Sequence, residues 1–224
     1  MTKLNYKQIY QDINTNGYSI IENYINESEK NILLKYSHSL GDGKERELAM
    51  HELKRKSDTP AMNYVINSEL ISILNGIWKE RCIAESIEYI PINASNIAVG
   101  FARKKPLKDN PSANNEGMTP LHYDHSMVNI LVGLEIETKE GEGALILYKN
   151  FRKRIKPLIL NKILVRIMRF SNMFAKLFKY KKIQYKEDAL HIFFGDISLH
   201  GVTPIHSGKR HAFLANASRV THYE

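Results

Sequence analysis

Thr119-Pro-Leu-His-Tyr-Asp-His-Ser-Met-Val-Asn129 is the stretch on which the reading of this 224-residue chain turns. Side chains two apart on a β-strand project to the same face, so His122 and Asp124 are expected to enter one cavity together. A second stretch, Gly195-Asp-Ile-Ser-Leu-His-Gly-Val-Thr-Pro204, supplies His200, and Arg210 follows ten residues later. Two imidazoles and one carboxylate make a donor set that holds a redox-active divalent ion, iron above all. It leaves coordination positions open.

With nine His and seven Asp in the chain, a chance His-x-Asp has a probability of roughly one in four, so the tripeptide alone decides little. Its surroundings decide more. After Asp124 come an apolar run at 128–134, a polar turn closing on Gly141-Glu-Gly143, and a second apolar run at 144–148. Another apolar run, 189–194, closes on Gly195-Asp196 just before His200. Strands joined by turns, with one ligand set early and the other late, are how an antiparallel barrel brings distant segments to one mouth.

His122-Tyr-Asp124-His, Val132-Gly-Leu-Glu135, Gly141-Glu-Gly-Ala-Leu145, Gly195-Asp196, His200-Gly-Val-Thr-Pro204 and Gly208-Lys-Arg210 occur in this order. Together with the opening Asn16-Gly-Tyr-Ser-Ile-Ile-Glu-Asn-Tyr, they resemble the Fe(II)/2-oxoglutarate-dependent dioxygenases, and most of all their phytanoyl-CoA-dioxygenase-like branch. The resemblance implies a mainly β chain with flanking helices (α+β): a double-stranded β-helix of the jelly-roll kind. It implies Fe(II) held at a catalytic centre by His122, Asp124 and His200, with O2 and 2-oxoglutarate as co-substrates. Arg210 would meet the far carboxylate of 2-oxoglutarate with its planar, two-pronged guanidinium. Position 212, where many such proteins place a hydroxyl residue, is Ala212, and Asn129 is the substitute donor to the co-substrate. The implied reaction releases succinate and CO2 and hydroxylates an unactivated C–H bond of a small-molecule or lipid-like substrate. Related halogenases carry a small residue where Asp124 stands, so Asp124 favours hydroxylation.

Other readings of these residues compete. His125 falls on the opposite strand face from Asp124 and is expected to pack or hydrogen-bond. His206 and His211 flank Arg210 and either tune the pocket or lie on the surface. His51 belongs to a polar loop at 41–60 and is expected to be solvated. A zinc hydrolase or a structural site is the rival use of the triad, although zinc more often adds a third nitrogen or sulfur.

The length fits one domain, residues 1–224, and 43% hydrophobic content supplies a core. Cys82 is the only cysteine, so no internal disulfide is expected, as suits a cytoplasmic location. No secretory signal or membrane-spanning run is expected. Helical spacing marks 4–14 and 68–82, the latter placing Trp78 in the core, and Asn26 opens a further helix. Strands are expected at 18–21 and 92–103. Residues 104–118 form a connection leading to His122, either a substrate-facing lid or an ordinary loop.

Charge is distributed unevenly. Residues 149–186 hold thirteen of the 32 Lys and Arg and none of the 24 Asp and Glu, leaving 19 basic against 24 acidic residues elsewhere, a net of −5. Apolar Ile159, Ile163, Ile167, Phe170, Phe174 and Leu177 recur at steps of three and four. A basic helical insertion is therefore expected at 149–187, between two barrel strands. It suits solvated helices docked on the barrel or a peripheral helix on an anionic membrane surface. Nucleic acid fits the charge, but no reader motif accompanies it. A catalytically silent barrel that binds membrane or polyanion through this segment is the rival to an enzyme.

Overall fold

A computed structural model describes residues 4–40, 58–104, 119–124, 126–149 and 179–218. His51, His125, the connection at 105–118 and most of the expected insertion at 149–187 lie outside the described residues.

The first described segment is helix α1 (Tyr6–Asn16). Asn5 caps it by accepting from Gln8 N–H, and it stops at Gly17, whose φ of 93° is left-handed. Glycine is suited to that turn on conformation alone, and a Cβ there would also lie 2.9 Å from Leu147 Cδ2. Strand β1 (Tyr18–Ile21) follows, then α2 (Glu27–Ser39). The start of α2 is a reciprocal capping box between Asn26 and Glu29, a device worth about 1 kcal/mol. Helix α3 (Pro60–Asn67) opens with Thr59 as cap and proline in its first turn, and α4 (Leu70–Glu85) follows it.

The strands are β2 (Ile97–Lys104), β3 (Thr119–His122), β4 (Ser126–Ile136), β5 (Leu145–Tyr148), β6 (Lys181–Ile183), β7 (Leu190–Phe193), β8 (Leu199–Val202) and β9 (Arg210–Ser218). They form a five-stranded sheet in the order β1-β7-β4-β9-β2 and a four-stranded sheet in the order β3-β8-β5-β6. Every pairing between them is antiparallel. The expected strand at 92–103 begins only at Ile97, because Asn93 turns the chain through a short 3-10 segment, Ala94–Asn96. The described end of the expected helical insertion is also strand: β6 pairs with Leu145, Ile146 and Leu147.

The two faces of the larger sheet are buried against different partners. Val128, Ile130, Val132 and Leu134 of β4 join Phe213, Ala215 and the helices in one core. Leu131, on the other face of β4, packs with Phe193 and with Leu145, Leu147, Ile183 and Tyr185, contributed by or adjoining the smaller sheet. β4 is therefore apolar almost throughout rather than alternating, because both of its faces are covered. Trp78 lies in the helical core as expected, donating Nε1–H to Ile90 O at 3.1 Å. No helix among the described residues is long and apolar enough to cross a membrane.

Candidate metal centre

His122 ends β3 and His200 lies in β8, directly opposite it in the register of the smaller sheet. Their rings are 4.4 Å apart between centroids. Asp124, two residues past His122, comes between them: its Oδ1 is 3.4 Å from His122 Nε2, and its Oδ2 is 3.2 Å from His200 Nε2. One ligand atom from each of the three lies within 4.8 Å of the others.

The turn after β7 positions two of them. Asp124 N–H donates to Gly195 O at 2.9 Å, while Ser198 O lies 3.0 Å from His200 Nδ1. A carbonyl only accepts, so Nδ1 carries the proton and the His200 Nε2 lone pair faces the carboxylate. Two acceptors at 3.2 Å repel unless a cation, a proton or a metal ion, lies between them. A backbone-bound second nitrogen is also what orients a metal-ligating histidine. Phe193 packs edge-on against the His200 ring at 4.8 Å. Burial pushes the Asp124 carboxyl upward, but His200 and His122 beside it hold it well below the usual carboxylate range.

Gly195 is where the turn leaves no room for a side chain. A Cβ there would stand 2.5 Å from Asn129 Oδ1 and 2.9 Å from Asp124 Cβ. The turn is anchored from behind by Arg81, which is fully buried on α4. Its guanidinium makes a two-pronged pair with Asp196 at 2.8 and 3.0 Å, donates to Met127 O, and lies over the Phe194 ring at 4.4 Å.

Asn129 has a different partner from the one expected. Its amide donates to Asp124 Oδ2, and Ser126 Oγ donates to its Oδ1 at 3.0 Å. It pairs with Asn216 across β4 and β9, whereas Arg210 is opposite Ile136 at the other end of β4. Asn129 therefore orients the carboxylate at 124 rather than standing with Arg210.

Arg210 is 2% exposed. Its Nη1 donates to Gly143 O at 3.0 Å, and its guanidinium carbon stands 4.8 Å over the Tyr185 ring. Tyr185 is also hydrogen-bonded to Arg210: burial pushes its phenol up, and the guanidinium offsets part of that. His191 packs edge-on against Tyr185 at 5.1 Å and is 1% exposed. Its Nε2 accepts from Lys186 N–H at 3.1 Å, which puts the proton on Nδ1, and that buried N–H has no hydrogen-bond partner among the described residues. Burial lowers the pKa of His191 to about 4. Between this polar group and the His122–Asp124–His200 cluster, the interior is lined by Leu131, Leu147, Phe193 and Leu214.

Among the other candidates, His206 is exposed. His211 is buried on the opposite face of β9 from Arg210, where it meets Ser37 Oγ at 2.7 Å. Tyr185 and His191 were not among the expected site residues. The signal for His191 is its place in Leu190-His-Ile-Phe193, a lone histidine on the same strand face as Phe193.

No protein-family model and no curated protein matches the sequence. Solved structures do resemble it. A Pseudomonas putida prolyl-4-hydroxylase has a TM-score of 0.60 at 10% identity, covering 97% of this chain and 100% of its own. The fold is the one these oxygenases share. A prolyl 4-hydroxylase from Phytophthora capsici has a TM-score of 0.59 at 17% identity over 96% of this chain, which spans only 63% of that protein's chain. SnoN, a non-heme alpha ketoglutarate dependent epimerase from nogalamycin biosynthesis, has a TM-score of 0.63 at 10% identity, with 94% of this chain and 79% of its own covered. SnoN has also been solved in complex with Fe3+, alpha ketoglutarate and nogalamycin RO.

Proposed function

We propose that this chain is an Fe(II)- and 2-oxoglutarate-dependent dioxygenase of the phytanoyl-CoA-dioxygenase-like kind, built on a double-stranded β-helix. It hydroxylates an unactivated C–H bond of a small-molecule or lipid-like substrate. The observation that carries this reading is the facing of His200 Nε2 and Asp124 Oδ2 with Nδ1 already committed to Ser198 O, a geometry that calls for a cation. His122, Asp124 and His200 are the iron ligands, and two imidazoles with one carboxylate suit Fe(II) while keeping positions open. When bound, iron and 2-oxoglutarate supply the oxidising power, consuming O2 and releasing succinate and CO2.

The chain's own residues do the rest. The Ser198 carbonyl fixes the ligating tautomer of His200, and Asn129 fixes the Asp124 carboxylate. Arg210 takes the far carboxylate of 2-oxoglutarate by charge, with the Tyr185 hydroxyl and the His191 Nδ1–H, which has no partner among the described residues, as neutral donors in place of the hydroxyl absent at Ala212. The apolar wall of Leu131, Leu147, Phe193 and Leu214 excludes water between the two polar ends. The order of motifs from His122 to Arg210 supports the branch assignment, and Asp124 supports hydroxylation over halogenation. Prolyl hydroxylases and an epimerase are both among the structural neighbours, so the product's mass separates those outcomes: hydroxylation adds one oxygen atom.

The test is succinate formation from 2-oxoglutarate with Fe(II) in air, which proceeds slowly even without the primary substrate. The expected result is formation by the wild type and none by His122→Ala or His200→Ala. Turnover unchanged in these variants contradicts the assignment.

A further inference from the structure

The strand that carries Arg210 on its inner face carries a second metal-type cluster on its outer face. We infer that His38, Glu135 and His211 form a second divalent-metal site, distinct from the His122–Asp124–His200 centre and suited to a zinc-like ion. One ligand atom from each of the three lies within 4.8 Å of the others. Glu135 and His211 are directly opposite on β4 and β9, just past the irregularity that follows Gly133. His38 stands in the last turn of α2, its ring edge-on to His211 with centroids 5.4 Å apart.

The geometry is that of ligands rather than of hydrogen-bond partners. His211 Nδ1 and Glu135 Oε2 are 3.8 Å apart, too far for a hydrogen bond. Two ligands of one tetrahedral zinc stand ~3.4 Å apart, given metal–ligand distances near 2.0–2.1 Å. His211 is held for this task. Its ring is 3% exposed and packs edge-on against Phe101, and its Nε2 meets the buried Ser37 hydroxyl at 2.7 Å. With the Nε2 proton given to Ser37, the Nδ1 lone pair faces Glu135, the arrangement by which a neighbouring acceptor sets the tautomer of a metal-bound histidine. Two imidazoles, one carboxylate and a water complete a four-coordinate set.

Lys209 is the competitor. Its Nζ sits 3.1 Å from Glu135 Oε2 but also 3.4 Å from Glu137 Oε1, so an incoming ion leaves it a second carboxylate. Nothing in the proposed dioxygenase chemistry uses His38 or Glu135. A metal here would fasten the end of α2 to β4 and β9, behind the strand position of Arg210.

The test counts zinc bound per chain by equilibrium dialysis with metal analysis, in the full chain and in His38→Ala and His122→Ala variants. His38 is exposed, so its replacement leaves the fold and succinate formation intact. The expected result is loss of one bound zinc in His38→Ala and loss of the other in His122→Ala. Zinc should also raise the melting temperature of His122→Ala but not of His38→Ala/His122→Ala. Lys209→Ala should bind the outer zinc more tightly. Unchanged zinc stoichiometry in His38→Ala overturns the second site, whatever His122→Ala does. If only His38→Ala changes the count, the second site stands and the triad assignment falls.

Discussion

Asn129 illustrates how much a single side chain decides at the centre of this fold. Its type was legible as polar within an apolar strand, but its partner was not, because a period-2 reading assigns a face and not a position along it. Its amide on Asp124 predicts that Asn129→Ala weakens Fe(II) binding by about 10–100-fold, the usual cost of losing a group that orients a ligand. Anaerobic Fe(II) titration measures it, and unchanged affinity speaks against the orienting role. His191 makes a second residue-scale prediction. Its folded pKa of about 4 lies below the ordinary 6.5, so the unfolded chain takes up the proton first as pH falls. Its stability contribution is intact above pH 6.5 and is lost progressively toward pH 4, by roughly 3 kcal/mol at most. Urea unfolding at several pH values should show the wild type losing stability relative to His191→Leu across that window. Parallel pH dependence in the two proteins contradicts it.

At the scale of elements, the strands and helix starts were written plainly in the sequence. Tyr18–Ile21 is a strand as read, Asn26 caps a helix, and the runs at 128–134, 144–148 and 189–194 became β4, β5 and β7. His122 and His200 were legible from the strand runs and turn residues around them, whereas Asp124 lies past the end of β3 and is placed by its bond to Gly195 O rather than by strand periodicity. The Arg81–Asp196 pair was not read, since a charged residue after Trp78 looks like a solvated helix end. A signal was there: Leu70, Ile73, Leu74, Ile77 and Trp78 advance by alternating steps of three and one, and Arg81, three further on, continues the same face. Burial alone would lower the Arg81 pKa, but Asp196 and Glu85 beside it raise it instead, so the guanidinium stays charged beneath the sheet. Arg81→Met should therefore cost about 3–5 kcal/mol, because it removes both charge-assisted bonds to the buried Asp196 carboxylate. Adding Asp196→Asn should recover part of that loss in chemical denaturation. If the double variant is no more stable than Arg81→Met, the lost Arg81–Asp196 charge pair is not the cause.

For the molecule as a whole, the net charge of +8 originates in residues 149–186, against −5 elsewhere. We propose that this segment meets an anionic lipid surface. Sedimentation with vesicles should give binding with anionic lipid, none with neutral lipid, and a steep decline with added salt. Absence of binding at low salt removes the idea and leaves the enzyme reading untouched. That reading rests on the two sheets bringing His122, Asp124 and His200 together while Arg210, Tyr185 and His191 close the far end of the same interior. The most direct measurement is anaerobic titration of the Fe(II)-loaded protein with 2-oxoglutarate, followed by the visible charge-transfer absorption of an iron-chelated keto acid. The account predicts that the band appears with wild type, needs more 2-oxoglutarate in Arg210→Ala, and is absent in His200→Ala. No band at any 2-oxoglutarate concentration, or an undiminished band in His200→Ala, contradicts it.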